Sequence, residues 1–392
     1  LYLPASFAQS SADRGASEFD FSFARTYNRG ATGGTMDTPK LSRRDLLSSA
    51  AVLAGSAIAA ESAAAHSGPT ERYPRNLTAE DLERWSTELS NWGRWGKDDQ
   101  TGTINLITPA KRKAAAALVR DGVCVSASLD ADLPKDGPTS GPLPGGPRIP
   151  GQPHTTWTLT SKPPGPDPRP KAAYVVDTIA TAYHGDATTH LDALSHVYYQ
   201  GQIYNGFPQT SFTDRGAGKD DVMAFKDGIF TRGVLFDLPR LKNVSYLGDD
   251  EAVYPEDLEA WEKKAGVRVA SGDAMLFRTG RWLRVKEKGY LDVNKLVPGL
   301  YASCLKWMHE RGVAILGSDV VQDVRPSRVE GVNQPIHQVA LRSMGTPLID
   351  NCDLEALAEA AAQRRRWAFL LTVNPLRVPG ATGGPVNPIA VF

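Results

Sequence analysis

Residues 183–196 read Tyr183-His184-Gly185-Asp186-Ala187-Thr188-Thr189-His190-Leu191-Asp192-Ala193-Leu194-Ser195-His196, and three of the chain's seven histidines fall inside them. Alternate side chains of an extended segment share a face. His190 therefore points the same way as Asp192, and His184 the same way as Asp186, so four candidate ligands converge on one side. Imidazole and carboxylate without a thiolate suit a divalent metal, Zn²⁺ or Mn²⁺. His196, four residues beyond Asp192, stands near enough to move a proton without itself holding the ion, and an imidazole with an ordinary pKa of about 6.5 suits that work. A lone histidine is more often a satisfied structural residue; His190, Asp192 and His196 at even spacing have no packing reason to recur. Cys124, Cys304 and Cys352 are widely separated with no CxxC pair, which speaks against a disulfide framework and a cysteine-based zinc site.

Outside this stretch, helix and strand signals alternate. Thr108-Pro109 opens a helix that Asp121-Gly122 closes, with proline at the first helical position. Helices are also expected over 255–265, 299–311 and 353–366. His309, near the end of the third, reads as a structural residue where a cation is favoured. Strand-like runs occupy 233–237, 274–277, 313–316 and 369–373. Several are nearly all apolar, which indicates strands buried on both faces of a mixed α/β arrangement. The run over 313–316 leads into Gly317-Ser318-Asp319, and loops at strand ends are where such proteins put chemistry. Residues 134–170 hold 12 of the 28 prolines, too many for regular helix or central strand. They form a long arm, expected to act as a lid or an oligomer contact.

The chain has 392 residues, with 44 Lys and Arg against 44 Asp and Glu. That balance leaves no basic footprint for nucleic acid or an anionic membrane surface. Near the N-terminus, Ser42-Arg43-Arg44-Asp45-Leu46-Leu47 reads as a twin-arginine export signal. The small apolar stretch that follows, 48–60, is too short for a bilayer-spanning helix of about 20 residues, and Ala63-Ala64-Ala65 offers a cleavage site before His66. Residues 1–35 precede Met36, carry no apolar periodicity and read as a mis-called upstream extension. The expected organisation is this extension, the signal at 36–65, a linker at 66–90 and one domain at 91–392. The mature protein is expected outside the cytoplasm, exported by the twin-arginine machinery, with no stable membrane insertion.

The run Thr189-His190-Leu191-Asp192-Ala193-Leu194-Ser195-His196 resembles the T-H-x-D-x-x-x-H half of the hallmark of cyclase-type metal-dependent hydrolases, the group that includes bacterial kynurenine formamidase and isatin hydrolase. The resemblance takes in Asn91-Trp92-Gly93-Arg94-Trp95-Gly96, Phe277-Arg278-Thr279-Gly280, Gly317-Ser318-Asp319 and Gly380-Ala381-Thr382-Gly383-Gly384-Pro385. It implies a mixed α/β, swivelling β/β/α-type domain with a β-barrel-like core flanked by helices, assembling as a homo-oligomer. The first ligand departs from the family's H-x-G-T-H. Asp186 stands at the usual position, four before His190, while His184 stands six before; pleat parity admits either, and His184-Gly185 echoes the family pattern. The resemblance further implies a late His and acidic residue, matched by His337 and Asp350-Asn351, and Asp192 bridging two metals. His184, His190, Asp192, His337 and Asp350 are thus the candidate ligands for one or two ions of Zn or Mn, and His196 the general base. Trp92, Trp95, Trp157, Tyr198 and Tyr204 are candidates for stacking on an aromatic substrate. The implied activity is hydrolysis of a formamide, cyclic amide or lactone, arylformamidase-like; a polyketide-type cyclase or dehydratase and a non-catalytic metal-site binding protein are the alternatives.

Overall fold

The computed structural model describes residues 72–131, 155–161, 174 and 176–392. The upstream extension, the export signal and most of the proline-rich arm lie outside the described residues. The described chain is mixed α/β: a curled, half-barrel sheet of nine strands flanked by helices. In chain order its strands are β1 (Cys124–Ser126), β2 (His190–Asp192), β3 (Ile229–Asp237), β4 (Ala274–Arg278), β5 (Ile315–Ser318), β6 (Leu348–Asp350), β7 (Ala368–Val373), β8 (Gly383–Pro385) and β9 (Ile389–Val391). They lie side by side in the order β1-β9-β7-β3-β4-β5-β6-β2-β8. The four central strands, β3 to β6, run parallel, and the strands on either flank pair antiparallel.

Parallel neighbours need crossover connections, and helices supply them. The helices are α1 (Ala79–Glu88), α2 (Pro109–Ala116), α3 (Leu238–Lys242), α4 (Pro255–Ala265), α5 (Arg281–Lys288), α6 (Cys304–Arg311), α7 (Pro335–Val339) and α8 (Glu355–Arg364). The expected bounds of α4 hold because Pro255 starts it, Asp257 accepts the Tyr254 N–H, and Gly266 closes it at φ 64°. The expected helix at 299–311 starts later, because Gly299 and Leu300 pair with Ala252 and Val253 in a short parallel ladder. All of β4 and β5 is buried, as their apolar runs require, and Phe236, Phe277, Trp261 and Trp307 fill the core around them.

Two expectations change. Residues 72–90, within the expected 66–90 linker, instead join the core: Thr78 and Asp81 form a capping box, and α1 buries Leu82 and Trp85. Only three of the ten residues of α1 are buried, so its apolar stripe is too narrow to stand out in sequence. Within the proline-rich region, residues 156–161 form a strand paired antiparallel with residues 176–180 in a separate two-stranded ribbon. Among the described residues, no helix is long and apolar enough to cross a membrane.

Sheet register places the chemistry. Strand β2 lies between β6 and β8, with Asp350 opposite His190 and Gly383 opposite Asp192. The late acidic residue and the closing glycine-rich segment thereby flank the histidine motif. Gly383 is required there, because a Cβ would stand 2.2 Å from the Leu191 carbonyl oxygen and 3.1 Å from His184 Cε1.

Candidate metal centre

Asp192 is the hub. Its Oδ1 stands 2.9 Å from His184 Nδ1 and 3.3 Å from His190 Nε2. Its Oδ2 stands 3.6 Å from His337 Nε2, which is itself 3.3 Å from Asp350 Oδ2. Two three-residue donor groups result, His184 with His190 and Asp192, and Asp192 with His337 and Asp350, their ligand atoms within 4.8 Å of one another in each. Asp186 belongs to neither; its carboxylate faces Arg325 at 3.4 Å.

The ring nitrogens that face away from the centre are held. His190 Nδ1 donates to the Thr188 carbonyl at 2.8 Å, and His337 Nδ1 to Asp323 at 2.6 Å. His184 Nε2 pairs with the Thr382 hydroxyl at 2.9 Å. Gln322 donates to Asp350 Oδ1 at 2.9 Å. Such outer partners fix ring orientation and raise ligand basicity. With a neutral ring, each Nε2 of His190 and His337 then presents a lone pair to the carboxylates.

The donor set fits a divalent cation. Both oxygens of Asp192 and Nδ1 of His184 are buried, and among the described residues they make no well-aligned hydrogen bond and face only one another and the Nε2 atoms of His190, His196 and His337, although buried polar atoms are nearly always paired. The cluster also draws positive charge. Burial opposes the His190 imidazolium, yet Asp192 and Asp350 lift its pKa to about 9. Burial likewise opposes the His337 imidazolium, and Asp350, Asp192 and Asp323 raise its pKa far above the ordinary value. A metal ion competes with those protons for the same lone pairs.

His196 stands beside this centre without joining either group. Its ring stacks on His184 with centroids 3.8 Å apart and 12° between planes, and its Nε2 is 3.9 Å from Asp192 Oδ2. Burial, with the neighbouring His184 and His337, holds its pKa below the ordinary value against the pull of Asp192. The imidazole lines a cavity of about 430 Å³ with Ser195, Tyr198, Gln209, Phe212 and Thr382. Of the expected stacking residues, only Tyr198 reaches this cavity among the described side chains. Trp92 donates to the Arg342 carbonyl and lies under that guanidinium, Trp95 lies under Arg94, and Tyr204 is fully buried on Asp99. The Trp157 side chain lies outside the description. Burial, and then Arg94, lower the pKa of His309, against the positive charge that a helix end favours.

A family model described as "Putative cyclase" matches residues 108–322, more than half of the chain. The chain belongs to the cyclase family. His184, His190, Asp192 and His196 fall within that match; His337 and Asp350 lie beyond it. A solved structure described as a novel cyclase is 31% identical, covers 78% of this chain and 100% of its own, and superposes with a TM-score of 0.66. Isatin hydrolase A from Labrenzia aggregata, bound to benzyl benzoate, is 18% identical over 70% of this chain and 94% of its own, at a TM-score of 0.49. Isatin hydrolase A from Ralstonia solanacearum is 19% identical over 73% and 98%, at 0.47. No curated protein matches.

One buried acid beside this cyclase-family centre has no donor. Asp220 accepts the Ser195 N–H on its backbone oxygen, but its fully buried carboxyl has no hydrogen-bond partner among the described residues. Burial, and then Asp99, raise its pKa from 3.8 to about 8. Between those values the unfolded chain has released a proton that the folded chain retains, so stability falls as pH rises. The slope is at most about 1.4 kcal/mol per pH unit. Asp220→Asn cannot ionise and is expected to flatten it, so that urea denaturation shows a larger gain over wild type at pH 8 than at pH 5. Equal gains at the two pH values would refute this account of Asp220.

Proposed function

We propose that the protein is a metal-dependent hydrolase that opens a small formamide, cyclic amide or lactone at its carbonyl, in the manner of an arylformamidase. One observation carries the reading: two His/carboxylate groups share Asp192 while His196, outside both, faces a cavity sized for a small molecule. The donors His184, His190, Asp192, His337 and Asp350 would hold one or two ions of Zn²⁺ or Mn²⁺. A divalent metal at such a site polarises a carbonyl and lowers the pKa of water towards about 7. His196 takes the proton of the attacking water at its imidazole and returns it to the leaving nitrogen or oxygen. Tyr198 and Phe212 offer apolar cavity walls to the body of the substrate, and Thr382 holds His184 from behind. A binding-only role rests on Asp186 and Asp350 as substituted ligands; against it, His184 stands in one donor group in place of Asp186 and Asp350 offers a carboxylate oxygen to the other.

The test begins with metal analysis of the purified protein, followed by assays on N-formylkynurenine, isatin and simple lactones. Bound Zn²⁺ or Mn²⁺ is expected, with hydrolysis lost on chelation and regained on adding the ion back. Metal should also raise the melting temperature, since a ligand at 100 times its Kd stabilises by about 2.7 kcal/mol. Full hydrolytic activity in metal-free protein would refute the proposal.

A further inference from the structure

The segment carrying the first histidine is two residues longer than the family spacing, with His184 six positions before His190. A longer loop has more conformations to lose before its ligand is in place. In this chain its carbonyls turn onto two buried side chains. Asn351 Nδ2 donates to the Gly185 carbonyl at 2.7 Å and to that of Thr188 at 3.1 Å. Arg281 Nη2 donates to the Asp186 carbonyl at 2.8 Å, and its Nη1 to Asn351 Oδ1 at 2.7 Å. The Thr189 hydroxyl closes the set on the Asn351 carbonyl at 2.6 Å. Arg281 is 5% exposed and Asn351 fully buried.

The clamp has its own anchor. The Asp319 carboxylate accepts the backbone N–H groups of Thr279, Gly280 and Arg281 and the Thr279 hydroxyl, at 2.8 to 3.1 Å. That fixes the first turn of α5 and the direction in which Arg281 leaves it. The motifs Phe277-Arg278-Thr279-Gly280 and Gly317-Ser318-Asp319, which supply none of the five proposed ligands, thereby bear on the 184–190 loop.

We propose that Arg281 is a positioning residue for the metal centre: through Asn351 and the Asp186 carbonyl it holds the lengthened loop so that His184 reaches the ion shared with His190 and Asp192. Burying a guanidinium is costly; the hydrogen bonds from its Nη1 and Nη2 go to neutral oxygens, and the Asp186 and Asp319 carboxylates supply the opposing charge nearby. The planar fork of arginine spans the two acceptors at once; a lysine ammonium at the end of a flexible stem does not reproduce that geometry. The inference rests on the hydrolase reading only in taking the cluster as a metal site.

The experiment is a thermodynamic cycle on Mn²⁺ affinity, measured by calorimetry on chelator-stripped wild type, Arg281→Lys, His184→Ala and the double variant. Arg281→Lys is expected to weaken binding by about tenfold or more, the usual cost of losing an outer partner. The double variant is expected to bind no more weakly than His184→Ala, because the clamp acts through His184. Asn351→Asp, which keeps the Arg281 contact but removes the donor to Gly185 and Thr188, is expected to show the same non-additivity and provides the result if Arg281→Lys does not fold. Additive losses, or wild-type affinity in a variant whose metal-free form merely melts lower, overturn the inference and leave the hydrolase reading standing. Stripped wild type that takes up neither Mn²⁺ nor Zn²⁺ overturns both.

Discussion

His196→Ala is expected to lower turnover by about 10²- to 10⁴-fold, the usual worth of a positioned acid–base group, while the purified protein keeps its metal. The separation follows from geometry. Neither donor group includes His196, and its Nε2 lies 3.9 Å from the nearest Asp192 oxygen. Its ring borders the cavity and is 28% exposed, whereas His190 and Asp192 are each 1% exposed. Removing it uncovers one face of His184 but takes away no donor atom. Turnover on whichever carbonyl substrate proves active, read beside metal content per chain, checks the expectation. Loss of metal in step with turnover would make His196 a ligand, and unchanged turnover would remove it from the chemistry.

His190 and Asp192 were legible in sequence because they alternate on one short strand, where pleat parity puts both side chains on one face; His184 and Asp186 lie in bends before it and His196 beyond a turn, where parity decides nothing. His190, Asp192 and His196 needed nothing from elsewhere. His337 and Asp350 came only from family resemblance; Asp350 meets the motif through the pairing of β6 with β2 and His337 from α7, held by Asp323, and no local pattern announces either approach. The outer partners had no signal of their own. Asp323 lies 14 residues before the ring it holds, and Thr382 lies 198 residues after His184. Aromatic residues misled for a related reason: Trp92 and Tyr204 look like stacking platforms in isolation, but one is spent on the Arg342 carbonyl and the other on Asp99. In the fold, apolar runs revealed β3, β4, β5 and β7, whereas the three-residue strands β1, β2, β6, β8 and β9 are shorter than any periodicity can mark.

Asp192→Asn is expected to empty both donor groups, because Asp192 is the one residue common to them. Breaking a buried charge pair from one side costs about 3–5 kcal/mol, or about 10²- to 10⁴-fold in metal affinity, and hydrolysis should fall with occupancy. No other single ligand has this reach: His184 and His190 serve one group, His337 and Asp350 the other. An amide also brings N–H donors to a place where a cation needs acceptors. The metal-free protein is expected to lose stability as well. The Asp192 oxygens are buried among the ring nitrogens of His184, His190 and His337, and without a metal the imidazolium forms of His190 and His337 supply the opposing charge. A neutral amide leaves those rings without a partner of opposite charge at this position, so metal-free Asp192→Asn should melt lower than metal-free wild type, while added Mn²⁺ raises the melting temperature of wild type alone. Mn²⁺ binding retained in Asp192→Asn would place the ion elsewhere. The expected pattern, binding lost and the metal-free fold weakened, identifies a carboxylate that pairs with imidazolium protons until a metal displaces them.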